Sequence, residues 1–133
     1  VRMKQHNENA IAVSNYLSNH PKIEKVFFPG TDKRHKEIAE KQMDGFGGMM
    51  SFVIDSDING VKTFLKNLNL FTLAESLGGV ESLIEHPAIM THASIDPSIR
   101  EKLGISETLL RISVGIEDVD DLISDLDQAL SKI

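Results

Sequence analysis

The chain has 133 residues, 41% of them hydrophobic and 26% charged, with 9 Gly and 4 Pro, which suits one globular domain and is too apolar for disorder. There is no cysteine, so the core must hold without disulfides, and thiolate catalysis, Cys-ligated zinc and iron–sulfur clusters are excluded. Fourteen Lys and Arg against twenty Asp and Glu give a formal charge of −6, the positive residues are scattered, and only six Phe and one Tyr could stack on bases, so nucleic acid is not an expected partner. No apolar run approaches the roughly 20 residues that span a bilayer, and Val1-Arg2-Met3-Lys4-Gln5-His6 is no signal-peptide core. No membrane partner is expected, and the reading is a soluble, cytoplasmic protein.

Met3, Ala10, Val13 and Leu17 recur at helical spacing and predict a helix over 2–19, ended by Pro21. Its periodic pattern already runs at Val1 with no capping residue ahead, as in a longer helix that has been cut. Ile23–Phe28 reads as a strand stopping at Pro29-Gly30, then a short polar helix covers Arg34–Met43. Gly45-Phe46-Gly47-Gly48 leads into a β-rich run, Met49–Ile54. Asp57 caps a helix with Ile58, Val61, Leu65 and Leu68 on one face. Leu70–Ala74 and Ser82–Ile84 predict strands, and Pro97 opens a short helix reaching Leu103, with Gly104 as its stop. Leu109–Val114 is the clearest strand, after which Asp118 caps a last helix with a broad stripe of Val119, Leu122, Ile123, Leu126, Ala129 and Leu130. One-faced helices with about four strands predict an α+β fold, a small sheet covered by helices on one side.

Several motifs fail chemically. The glycine run at 45–48 precedes a strand, whereas a dinucleotide fingerprint follows one, so it reads as a tight turn. His86 and His92 lie six apart with no adjacent third ligand, which favours structural histidines over a metal site. Ser76 is in no Gly-x-Ser-x-Gly elbow.

Arg111 stands apart. Alternation puts Leu110, Ile112 and Val114 on one face of its strand, and Leu109, Arg111 and Ser113 on the other. A guanidinium amid apolar residues stays charged and needs an anion. Glu75, Glu81 or Glu85 could supply it, or a ligand carboxylate could do so through a bidentate fork. The residues leave both open. Glu75-Ser76-Leu77-Gly78-Gly79 follows a strand, and its glycines and hydroxyl would let a small anion approach the backbone; the same string also suits an ordinary surface turn.

The string Leu70-Phe71-Thr72-Leu73-Ala74-Glu75-Ser76-Leu77-Gly78-Gly79-Val80-Glu81-Ser82-Leu83, followed by Pro87–Ser94 and Arg111-Ile112-Ser113-Val114-Gly115-Ile116-Glu117-Asp118, resembles the C-terminal domain of the cysteine and methionine metabolism family. These are pyridoxal-phosphate enzymes of the cystathionine γ-synthase and γ-lyase type. The resemblance extends to Arg2-Met3, Asn9-Ala10, Tyr16-Leu17, Pro29-Gly30, Gln42-Met43, Gly45 and Gly47-Gly48-Met49, and so over nearly the whole chain. The loop Thr31–His35 departs from it, shorter by about one residue than the family loop and without its His-Pro pair.

The resemblance implies a small, mainly antiparallel sheet in the C-terminal domain of a fold-type I enzyme. Residues 1–19 would end an interdomain helix and 20–133 would form the substrate-recognition domain. The absent cofactor domain would carry the Schiff-base lysine and bind pyridoxal phosphate, so this piece holds no catalytic lysine and no cofactor and is expected to be inactive alone. Arg111 would bind the substrate α-carboxylate beside Ser76, with Glu75 facing a distal ammonium and Thr91 near the pocket. The complete enzyme would act on cystathionine or homoserine esters, as a lyase or transferase of methionine and cysteine metabolism, and would be a homotetramer. The rival reading is a non-catalytic amino-acid-binding or regulatory module.

Overall fold

A computed structural model describes residues 1–133. Helix α1 is Arg2–Asn19, followed by β1 (Ile23–Phe27), α2 (Lys36–Gln42), β2 (Met49–Ile54), α3 (Ile58–Lys66), β3 (Thr72–Leu73), β4 (Leu83–Glu85), α4 (Pro97–Lys102), β5 (Leu109–Ser113) and α5 (Val119–Leu130). The five strands form one sheet in the order β1-β2-β5-β4-β3, antiparallel except for the β3–β4 pair. This is the α+β architecture expected from the one-faced helices.

Strand alternation decides which residues meet the helices. Met50, Phe52 and Ile54 of β2 are buried, as are Leu110 and Ile112 of β5, while Ser51 and Arg111 pair across the opposite face. The buried set joins Ala10, Val13 and Leu17 of α1, Val61 and Phe64 of α3, and Leu122, Leu126, Ala129 and Leu130 of α5 in a single core. Phe52 and Phe64 meet edge to face, 6.2 Å between centroids. Each of these large side chains contributes about 2 kcal/mol by leaving water. Asp57 and Asp118 cap α3 and α5 by accepting N–H bonds from their first turns.

Two expected elements are shorter than predicted by more than one residue. The strand over 70–74 shrinks to Thr72–Leu73 because the backbone N–H groups of Asn69, Leu70 and Phe71 are given to the Asp125 carboxylate of α5 instead of to a ladder. The helix over 34–43 begins only at Lys36, since the Asp32 side chain accepts the Arg34 N–H and holds a turn there.

The connection after β5 is locked from both sides. The Glu117 carboxylate accepts the N–H (2.7 Å) and hydroxyl (2.9 Å) of Ser82, whose Oγ accepts the Gly115 N–H at 2.8 Å. From α1, the His6 ring lies 2.6 Å from the Val114 carbonyl, and the Asn9 amide donates to the carbonyls of Gly115 (3.0 Å) and Glu117 (2.8 Å). Arg111 is thus borne on a strand whose far end cannot drift.

Candidate carboxylate site

Arg111 projects from the sheet face that α1, α3 and α5 leave free, and its side chain is 28% exposed. Ladder register puts Glu85 of β4 directly opposite it. Glu85 Oε2 forms an ion pair with Arg111 Nη2, and the Glu75 carbonyl accepts from the same nitrogen at 3.3 Å. The protein's acceptors therefore meet Nη2 alone, and Nε and Nη1 remain without a protein partner. Of the two anion sources open from sequence, Glu85 is present, but it engages one corner of the fork.

Glu85 is itself fixed. Only 2% of its side chain is exposed, and its Oε1 accepts the Thr91 hydroxyl. Thr91 Oγ1 also lies 2.8 Å from His92 Nδ1. The segment beyond β4 folds back because the His86 ring bonds the Glu107 carbonyl at 2.8 Å and Arg100 Nη1 donates to the Ala88 carbonyl at 2.6 Å. Burial pushes the His86 imidazole below its ordinary pKa, so it stays neutral and structural.

The loop from Ala74 to Glu81 closes the other side. It is tied down at two points on β5: Arg111 holds the Glu75 carbonyl, and the Gly78 N–H donates to Ser113 Oγ at 2.8 Å. Gly78 has φ +77°, a conformation that suits glycine. The loop leaves the Glu75 and Ser76 side chains exposed, with no hydrogen bond from Ser76.

Among the residues singled out in the sequence, Arg111, Glu75 and Thr91 are thus joined through one bonded cluster, and Ser76 is next in chain to the Glu75 carbonyl. Glu85 and Ser113 are additional members. Glu85 shares the strand face of Leu83, which recognition of the β4–β5 pairing would have set against Arg111; nothing local marks Ser113.

Two clefts of the chain lie elsewhere. One, about 460 Å³, is lined by Met3, Asn7, Met43 and Gly45, and the other, about 520 Å³, by Pro97, Arg100, Ile105 and Glu107. Neither contains a residue of the Arg111 cluster, which lies open on a free sheet face. The hydrogen bonds and ion pair of the cluster involve no lysine.

Comparison with known proteins gives these residues their context. Cystathionine gamma-lyase of Dictyostelium discoideum is 54% identical over 133 residues, which are 99% of this chain and 34% of that protein. Cystathionine beta-lyase of Coxiella burnetii is 53% identical over 98% of this chain and 34% of its own length. The crystal structure of cystathionine gamma synthase from Xanthomonas oryzae pv. oryzae in complex with cystathionine superposes with a TM-score of 0.93 at 47% identity, covering 98% of this chain and 34% of that one. The chain spans about a third of the length of these relatives. A sequence model described as Cys/Met metabolism PLP-dependent enzyme matches residues 1–131, and the chain belongs to that family.

Proposed function

We infer that this chain is the substrate-recognition part of a pyridoxal-phosphate-dependent transsulfuration enzyme of the cystathionine γ-synthase or γ-lyase type, and that Arg111 receives the substrate α-carboxylate. Residues 1–19 then belong to an interdomain helix and 20–133 to the C-terminal domain. Cystathionine or a homoserine ester is the substrate of the complete enzyme, a cytoplasmic homo-oligomer, tetrameric as such enzymes commonly are.

The observation that carries the reading is the strand-borne guanidinium whose protein acceptors meet Nη2 and not Nε or Nη1. A carboxylate is the planar partner such a fork fits. The Glu75 carbonyl meets the fork from the loop, with Ser76 next to it in the chain, and Thr91 is linked to the fork through Glu85. The cofactor supplies the electron sink that loosens the bond at the substrate's γ-carbon. The residues present here orient the amino acid, which lowers the barrier by fixing the reacting atoms before chemistry begins.

A second reading has its own observation. The Glu85 contact suits an ion pair that serves the fold alone. Arg111→Lys in the complete enzyme separates the two. The carboxylate role predicts a fall of about a hundredfold in kcat/KM for cystathionine, carried largely by KM, because an ammonium cannot reproduce the fork. Near-normal kinetics with a lowered melting temperature would assign Arg111 to the fold instead.

A further inference from the structure

We propose that Glu85 is a resident counter-ion that makes the Arg111 fork select zwitterionic amino acids over simple carboxylates. The inference rests on the carboxylate role of Arg111 and deepens it.

The geometry has three parts. Glu85 faces Arg111 in ladder register, so its charge is set by the backbone of two paired strands. Its Oε2 is buried and has no aligned hydrogen bond; its partner is the guanidinium charge. Its Oε1 is held by Thr91, so the carboxylate has no free rotation by which to leave. A ligand carboxylate arriving at Nε and Nη1 would share one cation with this fixed anion.

Two carboxylates on one guanidinium repel, and the partly dry surroundings strengthen that repulsion. A simple carboxylate, with net charge −1, bears the repulsion in full. An amino acid carries an ammonium on the carbon next to its carboxylate, and that positive charge offsets part of it. Glu85 thereby weakens binding of every anion but weakens it least for the zwitterion. A bare Arg111 would be a general trap for small carboxylates; paired with Glu85 it becomes an amino-acid site. Glu85 acts through Arg111 and is a positioning and selectivity residue.

The test uses the complete enzyme, cystathionine as substrate and propionate as the competing simple carboxylate. The readout is the ratio of the propionate inhibition constant to the cystathionine KM. Glu85→Gln keeps size and shape and removes the charge, and the ratio should fall about tenfold. Glu85→Asp keeps the charge and should hold the ratio within about threefold of the parent. Glu85→Ser removes the charge with a smaller side chain and serves if the Gln variant does not fold. A ratio unchanged or raised in the charge-removing variants overturns the proposal. If Arg111→Lys alters neither KM nor propionate inhibition, the carboxylate reading fails; if it alters both while the Glu85 ratio stays fixed, only the counter-ion role fails.

Discussion

The Asp125 carboxylate accepts the backbone N–H of Phe71 at 3.1 Å, and with it the N–H groups of Asn69 and Leu70 at 2.8 Å each. One buried side chain on α5 therefore fixes the entry to β3 and, beyond it, the start of the loop that carries Glu75 and Ser76. Burial pushes the Asp125 carboxyl upward, but these three donors and the Gln128 amide outweigh it and hold the group below the ordinary carboxylate range. Replacement by Asn turns one acceptor oxygen into an NH₂ facing N–H donors, and Asp125→Asn should cost about 2 kcal/mol at pH 7. The sign of the pH dependence follows from the depressed native pKa. The stabilisation is present above the unfolded value of about 3.9 and is lost as pH falls through the native value. Denaturant melts of parent and variant should therefore differ widely at neutral pH and converge below about pH 4. A gap that stays constant into acid would show that the charge contributes nothing.

Ser113 offers a separate handle on the same loop. Its hydroxyl accepts the Gly78 N–H at 2.8 Å from a buried position on β5, two residues from Arg111. Gly78 is exposed, so the N–H released by Ser113→Ala finds water, and stability should fall by about 1 kcal/mol or less. The functional effect should be larger than the thermodynamic one. With one of its two ties to β5 gone, the loop samples more positions, and in the complete enzyme KM for cystathionine should rise severalfold with kcat less affected. Steady-state kinetics beside a thermal melt would check this, and an unchanged KM would mean that the Arg111–Glu75 contact and the backbone bonds at Ala74 and Val80 order the loop without Ser113.

These two side chains mark the boundary of what the sequence discloses. Asp57 and Asp118 announce the starts of α3 and α5, and the period-two alternation of β5 assigns its core face, because capping and amphipathicity are local properties. The anomaly of Arg111 is local too, a charge in an apolar strand. Its partner is not. Three acids were eligible, and only the β4–β5 register selects Glu85, while Thr91 enters because the chain turns back six residues later. Asp125 reaches across 54 residues to Phe71, so nothing near Leu70 warns that the strand will be cut short. Gly115 shows the same limit. Its φ is ordinary, yet an added Cβ would strike the Val80 carbonyl and the Ser82 backbone nitrogen, which only the tertiary approach of the 80–82 segment reveals. The family motifs spanning 70–83 and 111–118 were legible as strings because they contain both sides of this packing.

Tyr16 provides a prediction with a clean optical readout, since it is the only tyrosine in the chain. Its hydroxyl donates to Asp127 Oδ1 at 2.7 Å, joining α1 to α5. Burial first, then that hydrogen bond, then the charge of Asp127 all disfavour the phenolate and raise the Tyr16 pKa well above its ordinary value. The raised native pKa means that this contribution to stability is intact below about pH 10 and is lost as pH climbs above it, where the unfolded chain ionises first. In the 133-residue chain, phenolate absorbance should stay flat through pH 10 to 11 and rise only with, or after, the loss of helical circular dichroism. Tyr16→Phe should cost about 1 kcal/mol at neutral pH by removing the bond, and should flatten the decline in stability on the alkaline side. A phenolate transition centred near pH 10 in the still-folded chain would show that the Tyr16–Asp127 bond does not persist in solution.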